Sequence, residues 1–270
     1  MKKTSFSTRT RRFLYLAIPA ALLLILAVSA AFFAVHTKPA PAPESPVSES
    51  PVSESSAPRA EAPAPYDFSA PVPESAAVDK SYFDDAVFLG DSRTEDFILY
   101  AGLANTNAYA RMGMNVKTAF TEPVVALGGK NYTVVDALAQ TQFSKVYMMF
   151  GVNELGWTYP KIFIQKYGEL IDAARKINPN AIIYVQPILP VTKNHRAGDE
   201  NNDRIQTFNT MIRRMAAEKR AYFVNTSAAV ADAEGFLPDD AASDGVHLNK
   251  KYCLKWLAYL QTHIVANAAS

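Results

Sequence analysis

Short apolar runs that recur between helical stretches restrict this chain more than any other feature. Runs at 86–89, 145–150, 181–186 and 222–225, with a weaker candidate at 107–110, have the length and apolar content of buried strands. The stretches between them carry helical periodicity. Phe163, Tyr167, Leu170, Ala174 and Ile177 repeat at spacings of four, three, four and three, and Asn178-Pro179-Asn180 then stops the helix. Ile205, Phe208, Ile212 and Met215 repeat in the same way, as do Cys253, Leu257, Leu260 and Ile264. Strands that alternate with helices pair in parallel, because each helical crossover returns the chain to the same end of the sheet and covers one of its faces. The expected fold class is therefore α/β, a three-layer flavodoxin-like sandwich around a central parallel sheet of about five strands.

That pattern occupies residues 78–270 only, and composition explains why. The first 12 residues hold five bases and no acid; residues 13–35 then run for 23 positions without a charge. At about 1.5 Å per residue such a helix crosses a hydrocarbon core of roughly 30 Å. Residues 1–12 are read as a basic cytoplasmic segment and 13–35 as a transmembrane signal-anchor, which puts the remainder outside the membrane. Val28-Ser29-Ala30 also resembles a processing site, and cleavage there would release the domain as a secreted protein. Residues 36–77 contain ten of the chain's 17 prolines and the repeat Ser-Pro-Val-Ser-Glu at 45–49 and 50–54. Such a segment lacks the apolar content for a core and is read as a disordered spacer. Beyond residue 12 there are 22 bases against 26 acids, which does not favour a nucleic-acid partner. Cys253 is the single cysteine, on the apolar face of the last helix, so no disulfide forms within the chain. The four histidines show no metal-binding spacing, and neither metal nor other cofactor is expected.

The candidate chemistry sits where the apolar runs end. The run at 87–89 stops in Gly90-Asp91-Ser92, delivering a serine to the carboxyl end of a strand just before a helix, where open α/β sheets place their sites. Alone, Ser92 reads more readily as a helix cap than as a nucleophile. Asp244-Gly245-Val246-His247 supplies an acid three residues before a base, and Gly151-Val152-Asn153-Glu154 supplies a side-chain amide after another strand. Taken singly, Asp91 reads as a loop-holding turn residue, Asn153 as a cap, His195 as a solvated loop residue, and Gly128-Gly129-Lys130 as a turn. His263, inside the last predicted helix, is a weak rival base.

Together these blocks resemble the SGNH (GDSL-type) hydrolase superfamily. Gly90-Asp91-Ser92, Gly113 within Arg111-Met112-Gly113-Met114, Gly151-x-Asn153 and Asp244-x-x-His247 follow that family's order and approximate spacing across residues 84–250. Arg93 stands where the family has leucine, and Glu154 where aspartate usually follows the asparagine.

The resemblance implies a serine esterase, and the residue chemistry agrees. His247 would take the proton of Ser92 as it attacks an ester carbonyl, Asp244 would orient the imidazole, and the Ser92 and Gly113 amides with the Asn153 side chain would hold the oxyanion. Trp157 and Tyr159 are candidates to stack on a sugar ring, with local packing the even alternative. An exported site on a stalk meets polysaccharide first, so the expected substrate is an acylated cell-wall or capsular glycan, or a small ester. An O-acyltransferase using the same residues, or a non-catalytic glycan-binding module, are the alternatives; oligomeric state is not legible.

Overall fold

The structure is a computed structural model and describes residues 66–195 and 198–265. The expected cytoplasmic segment, membrane helix and most of the spacer lie outside the described residues. Among the described residues no helix is long and apolar enough to cross a membrane.

Five strands form the central sheet: β1 (Ala86–Gly90), β2 (Asn107–Ala110), β5 (Lys145–Met149), β6 (Ile182–Val185) and β7 (Tyr222–Phe223), in the order β2-β1-β5-β6-β7 and all parallel. This is the doubly wound order whose switch point falls between β1 and the strand that follows the reversal, here β5. Each of the five lies within a run read from the sequence. A separate antiparallel hairpin, β3 (Val125–Leu127) and β4 (Lys130–Tyr132), turns at Gly128-Gly129. The helices are α1 (Ser92–Ala101), α2 (Thr118–Thr121), α3 (Val134–Leu138), α4 (Pro160–Ile177), α5 (Asn202–Glu218), α6 (Ser227–Val230) and α7 (Lys250–Thr262).

Successive side chains of a strand face opposite sides, and the core divides accordingly. Val87, Leu89, Val146, Met148, Ile183 and Val185 join a cluster with residues of α3, α4 and α5. Ala86, Phe88, Tyr147, Met149 and Tyr184 join a second cluster with residues of α1 and α7. On that second face Phe88, Tyr147 and Tyr184 stack across three neighbouring strands, with centroids 4.7 and 4.5 Å apart. Phe97 of α1 packs on Trp256 of α7 at 4.5 Å, and Trp256 Nε1 donates to Gln186 Oε1 at 2.8 Å. This packing fixes α1 beside α7, so whatever begins one helix is held near whatever precedes the other.

Two boundaries differ from expectation. The spacer was placed through residue 77, but folded structure already includes residues 66–77: Val72 is buried and its N–H donates to Phe223 O at 2.8 Å, covering the β7 edge. Tyr66 and Phe68 pack their rings on Tyr222 of the same strand. An exposed strand edge invites pairing, and this segment supplies it from within the chain. Helix α7 also stops at Thr262, so His263 is its C-cap, stacked on Tyr259, and Ile264 lies past the end.

Candidate active site

The site is assembled at the carboxyl edge of the sheet, where Gly90 of β1 stands opposite Ala110 on one side and Met149 on the other. A Cβ at Gly90 would lie 2.1 Å from Thr94 Oγ1 and 2.6 Å from the Met149 carbonyl, so only glycine lets α1 turn back this tightly. Asp91 caps the helix by accepting from Arg93 N at 3.0 Å, as its turn position suggested. Ser92 follows as the first helical residue, 7% exposed.

Beside it, the turn before α7 presents an acid and a base. His247 Nε2 is 2.9 Å from Ser92 Oγ, and His247 Nδ1 is 2.5 Å from Asp244 Oδ2. A carboxylate at that distance calls for the proton on Nδ1, which leaves Nε2 to accept from the serine hydroxyl. The second carboxylate oxygen, Oδ1, accepts from the N–H groups of Val246 and His247, both at 2.9 Å. Partial burial is the largest single influence on Asp244 and raises its pKa. The bonds from His247 and Val246 outweigh it and bring the group down to about 2. Gly245 makes the turn feasible: its φ is +83°, and a Cβ there would lie 2.7 Å from Thr192 Oγ1. Ser92, Asp244 and His247 are thus joined in one hydrogen-bonded chain. His263, the rival base, is a helix cap elsewhere.

Across from this turn, two loops meet. Residues 111–116 hang from the sheet by the Arg111 N–H bond to Gly90 O at 3.4 Å and from α1 by the Met112 N–H bond to Glu95 Oε2 at 3.0 Å. Gly113, with φ +75°, forms the bend. Asn153, on the 3-10 turn Val152–Glu154 after β5, donates through Nδ2 to Met114 O at 2.8 Å, which engages one of its two amide hydrogens. The Ser92 N–H opens a helix and has no intrahelical acceptor.

Several supporting contacts escaped the sequence reading. His195 is not a solvated loop residue: it is 11% exposed at the side chain, with Nδ1 3.2 Å from the Asp244 carbonyl and Nε2 3.2 Å from Glu200 Oε2. Thr192 N also donates to Gly245 O at 2.9 Å, so the loop after β6 braces the Asp244 turn. The only available signal was its position just past a strand end. Arg93 is buried and donates from Nη1 to Leu189 O at 2.5 Å, tying α1 to that same loop. Asp91 is raised to about 6, by burial first, against the pull of Arg93. Trp157 packs against the core, with its carbonyl accepting from Arg204 Nη2 at 3.1 Å, and Tyr159 is exposed at the start of α4. Trp157 therefore follows the packing alternative. A groove of about 450 Å³, lined by Asp96, Tyr100, Asp239, Asp240, Ser243 and Asn249, runs along His247. Among the described residues no cluster of ligand side chains could hold a metal ion.

A wound parallel sheet carrying these groups at its carboxyl edge defines an α/β hydrolase acting on ester bonds. The chain belongs to the GDSL-like lipase/acylhydrolase family, whose pattern matches residues 88–251. Solved structures share the fold. A GDSL-like lipase from Bacteroides thetaiotaomicron is 15% identical, with 67% of this chain and 88% of that one covered and a TM-score of 0.51. A protein assigned as a platelet activating factor from Streptococcus pneumonia is 17% identical over 67% and 89% of the two chains, with a TM-score of 0.54. One assigned as an SGNH hydrolase from Slackia heliotrinireducens is 20% identical over 65% and 96%, with a TM-score of 0.50. No curated protein matches the chain.

Proposed function

We propose that the protein is a serine esterase that removes acetyl or another short acyl group from an extracytoplasmic glycan of the cell wall or capsule. The observation that carries this is the chain of hydrogen bonds from Ser92 Oγ through the His247 ring to Asp244. Ser92 Oγ attacks the ester carbonyl carbon and its proton passes to His247 Nε2, while Asp244 holds the ring and stabilises its charged form. The carbonyl oxygen becomes an oxyanion facing the Ser92 and Gly113 N–H groups and the free hydrogen of Asn153 Nδ2, each worth about 3–4 kcal/mol of barrier. His247 then returns the proton to the departing sugar oxygen. Water, deprotonated by the same nitrogen, attacks the acyl-enzyme and releases the carboxylic acid. Ser92 sits at the floor of the site while the His247 side chain is 39% exposed at its rim, which suits a small acyl group entering from a bulky alcohol left outside. The address rests on the sequence: an uncharged run at 13–35 behind a basic segment places the domain outside the membrane.

The test uses the full chain in detergent, supplied with acetylated and bare glycan oligomers and followed by mass. Release of free acetate, abolished by Ser92→Ala, is the expected result. Unchanged release by the variant removes the nucleophile assignment, and net transfer of acetyl to bare oligomers reassigns the protein as an acyltransferase.

A further inference from the structure

Between the loops assigned to the oxyanion lies a carboxyl group that the chemistry above leaves unused. Glu154 follows Asn153 on the turn after β5 and is fully buried, at 0% exposure. Its Oε1 accepts from Val116 N at 2.7 Å, while Asn153 Nδ2 donates to Met114 O at 2.8 Å. Two successive side chains of one turn thus grip residues 114 and 116 of the facing loop, immediately after Gly113. Glu154 forms no ion pair among the described residues. The titratable groups that act on it are Asp91, from the nucleophile turn, and Tyr167, from α4. Both would be anions if ionised, and neither can neutralise a carboxylate.

We propose that Glu154 is a positioning residue that works uncharged, clamping the 113–116 loop to the Asn153 turn, and that loss of its proton sets the alkaline limit of the enzyme. The inference rests on the esterase reading given above. Burial is the main cause that holds the proton on, raising the group to about 8; the Asp91 charge adds to this, and the N–H groups of Val116, Glu154 and Gly151 pull the other way. With Oε1 accepting from Val116, the proton belongs on Oε2, which has no hydrogen-bond partner among the described residues. Ionisation acts against catalysis in two ways. It places an anion behind the point where negative charge develops on the substrate, and it leaves a buried charge without a cation, which favours opening of the clamp.

Linkage gives a readout independent of activity. A carboxyl whose pKa is raised by folding contributes stability at low pH that is lost as the pH climbs towards the folded-state value, here from about 4.5 to about 8. Glu154→Gln keeps the acceptor for Val116 N and cannot ionise.

The experiment compares wild type and Glu154→Gln as full chains, measuring melting temperature and kcat for a small acetate ester from pH 5 to pH 10. The expected result is that the variant gains thermal stability relative to wild type as the pH rises. Wild-type kcat should fall about tenfold per pH unit above its limit, with KM little changed, while kcat of the variant stays level. Glu154→Ala, which removes the clamp, should lower kcat at every pH without restoring the level profile's height. Parallel melting curves across the range, or superposable kcat profiles for wild type and Gln variant, overturn the proposal. If wild type does not cleave esters at all, the esterase reading has failed, and the melting comparison still decides whether Glu154 carries a buried proton.

Discussion

Two turns on opposite sides of Ser92 each present a carboxyl group, and they treat it in opposite ways. Asp244 lies on the turn before α7, 52% exposed at the side chain, and two backbone N–H groups and an imidazole bring it down to about 2. Glu154 lies on the turn after β5, fully buried, with a single strong contact from Val116 N, and is raised to about 8. The chemistry of the two groups is the same; the donors around them differ. One turn maintains a permanent negative charge that can steady an imidazolium, and the other maintains a neutral wall behind the place where an oxyanion forms. A serine hydrolase needs both, because the proton that leaves Ser92 creates positive charge on one side of the substrate and negative charge on the other.

This contrast ranks the expected losses. Ser92→Ala removes the group both turns serve and should lower kcat by about a millionfold, the scale seen when a serine hydrolase loses its nucleophile. Asp244→Asn keeps the shape of its turn but presents an amide to His247 Nδ1, favouring the wrong tautomer; kcat should fall about ten-thousandfold, with the larger losses on acidification as the ring takes up its proton. Asn153→Ala removes one oxyanion donor from the other turn, for a loss of about a hundred- to a thousandfold in kcat with KM nearly steady. Steady-state kinetics on one ester checks all three. A loss at Asn153 exceeding that at Asp244 would break the comparison, since it would put the weight of catalysis on the oxyanion side.

The sequence carried this contrast unevenly. All five sheet strands and the four long helices were legible because burial on one or both faces imposes a period that survives in the residues, as in Phe163-Tyr167-Leu170. The short helices α2, α3 and α6 span at most five residues and leave no period to read. Ser92, Asp244 and His247 were legible because each lies at a strand end or just before a helix, in a short motif. Gly113 and Asn153 were legible as positions, but the bond between the Asn153 side chain and Met114 joins residues 39 apart, and nothing local announces it. Residues 66–77 read as spacer because their prolines and serines match the segment before them; the partner that orders them, β7, lies about 150 residues further on. Glu154 and Arg93 stood out only as departures from a family pattern, and burial, which gives each its meaning, is a property of the assembled core.

The smallest expected effect belongs to His195, and it separates the two turns most finely. Its ring spans the Asp244 carbonyl and the Glu200 carboxylate, and the neighbouring Thr192 N–H holds Gly245 O, so the loop after β6 supports the acid turn from behind without touching the substrate. His195→Ala leaves the bonds of Asp244 to Val246 N, His247 N and His247 Nδ1 in place. What is lost is the brace, and with it some fraction of the time that Nε2 spends within reach of Ser92 Oγ. A loss of about tenfold in kcat corresponds to about 1.4 kcal/mol, the size expected for a positional rather than a chemical defect. KM should stay level, and Asn153→Ala in the same chain should multiply the loss, because the two residues support different turns with no shared contact. A double variant much less impaired than that product would show that the two turns move as one unit, and the division between a charged side and a neutral side would then describe chemistry but not mechanics.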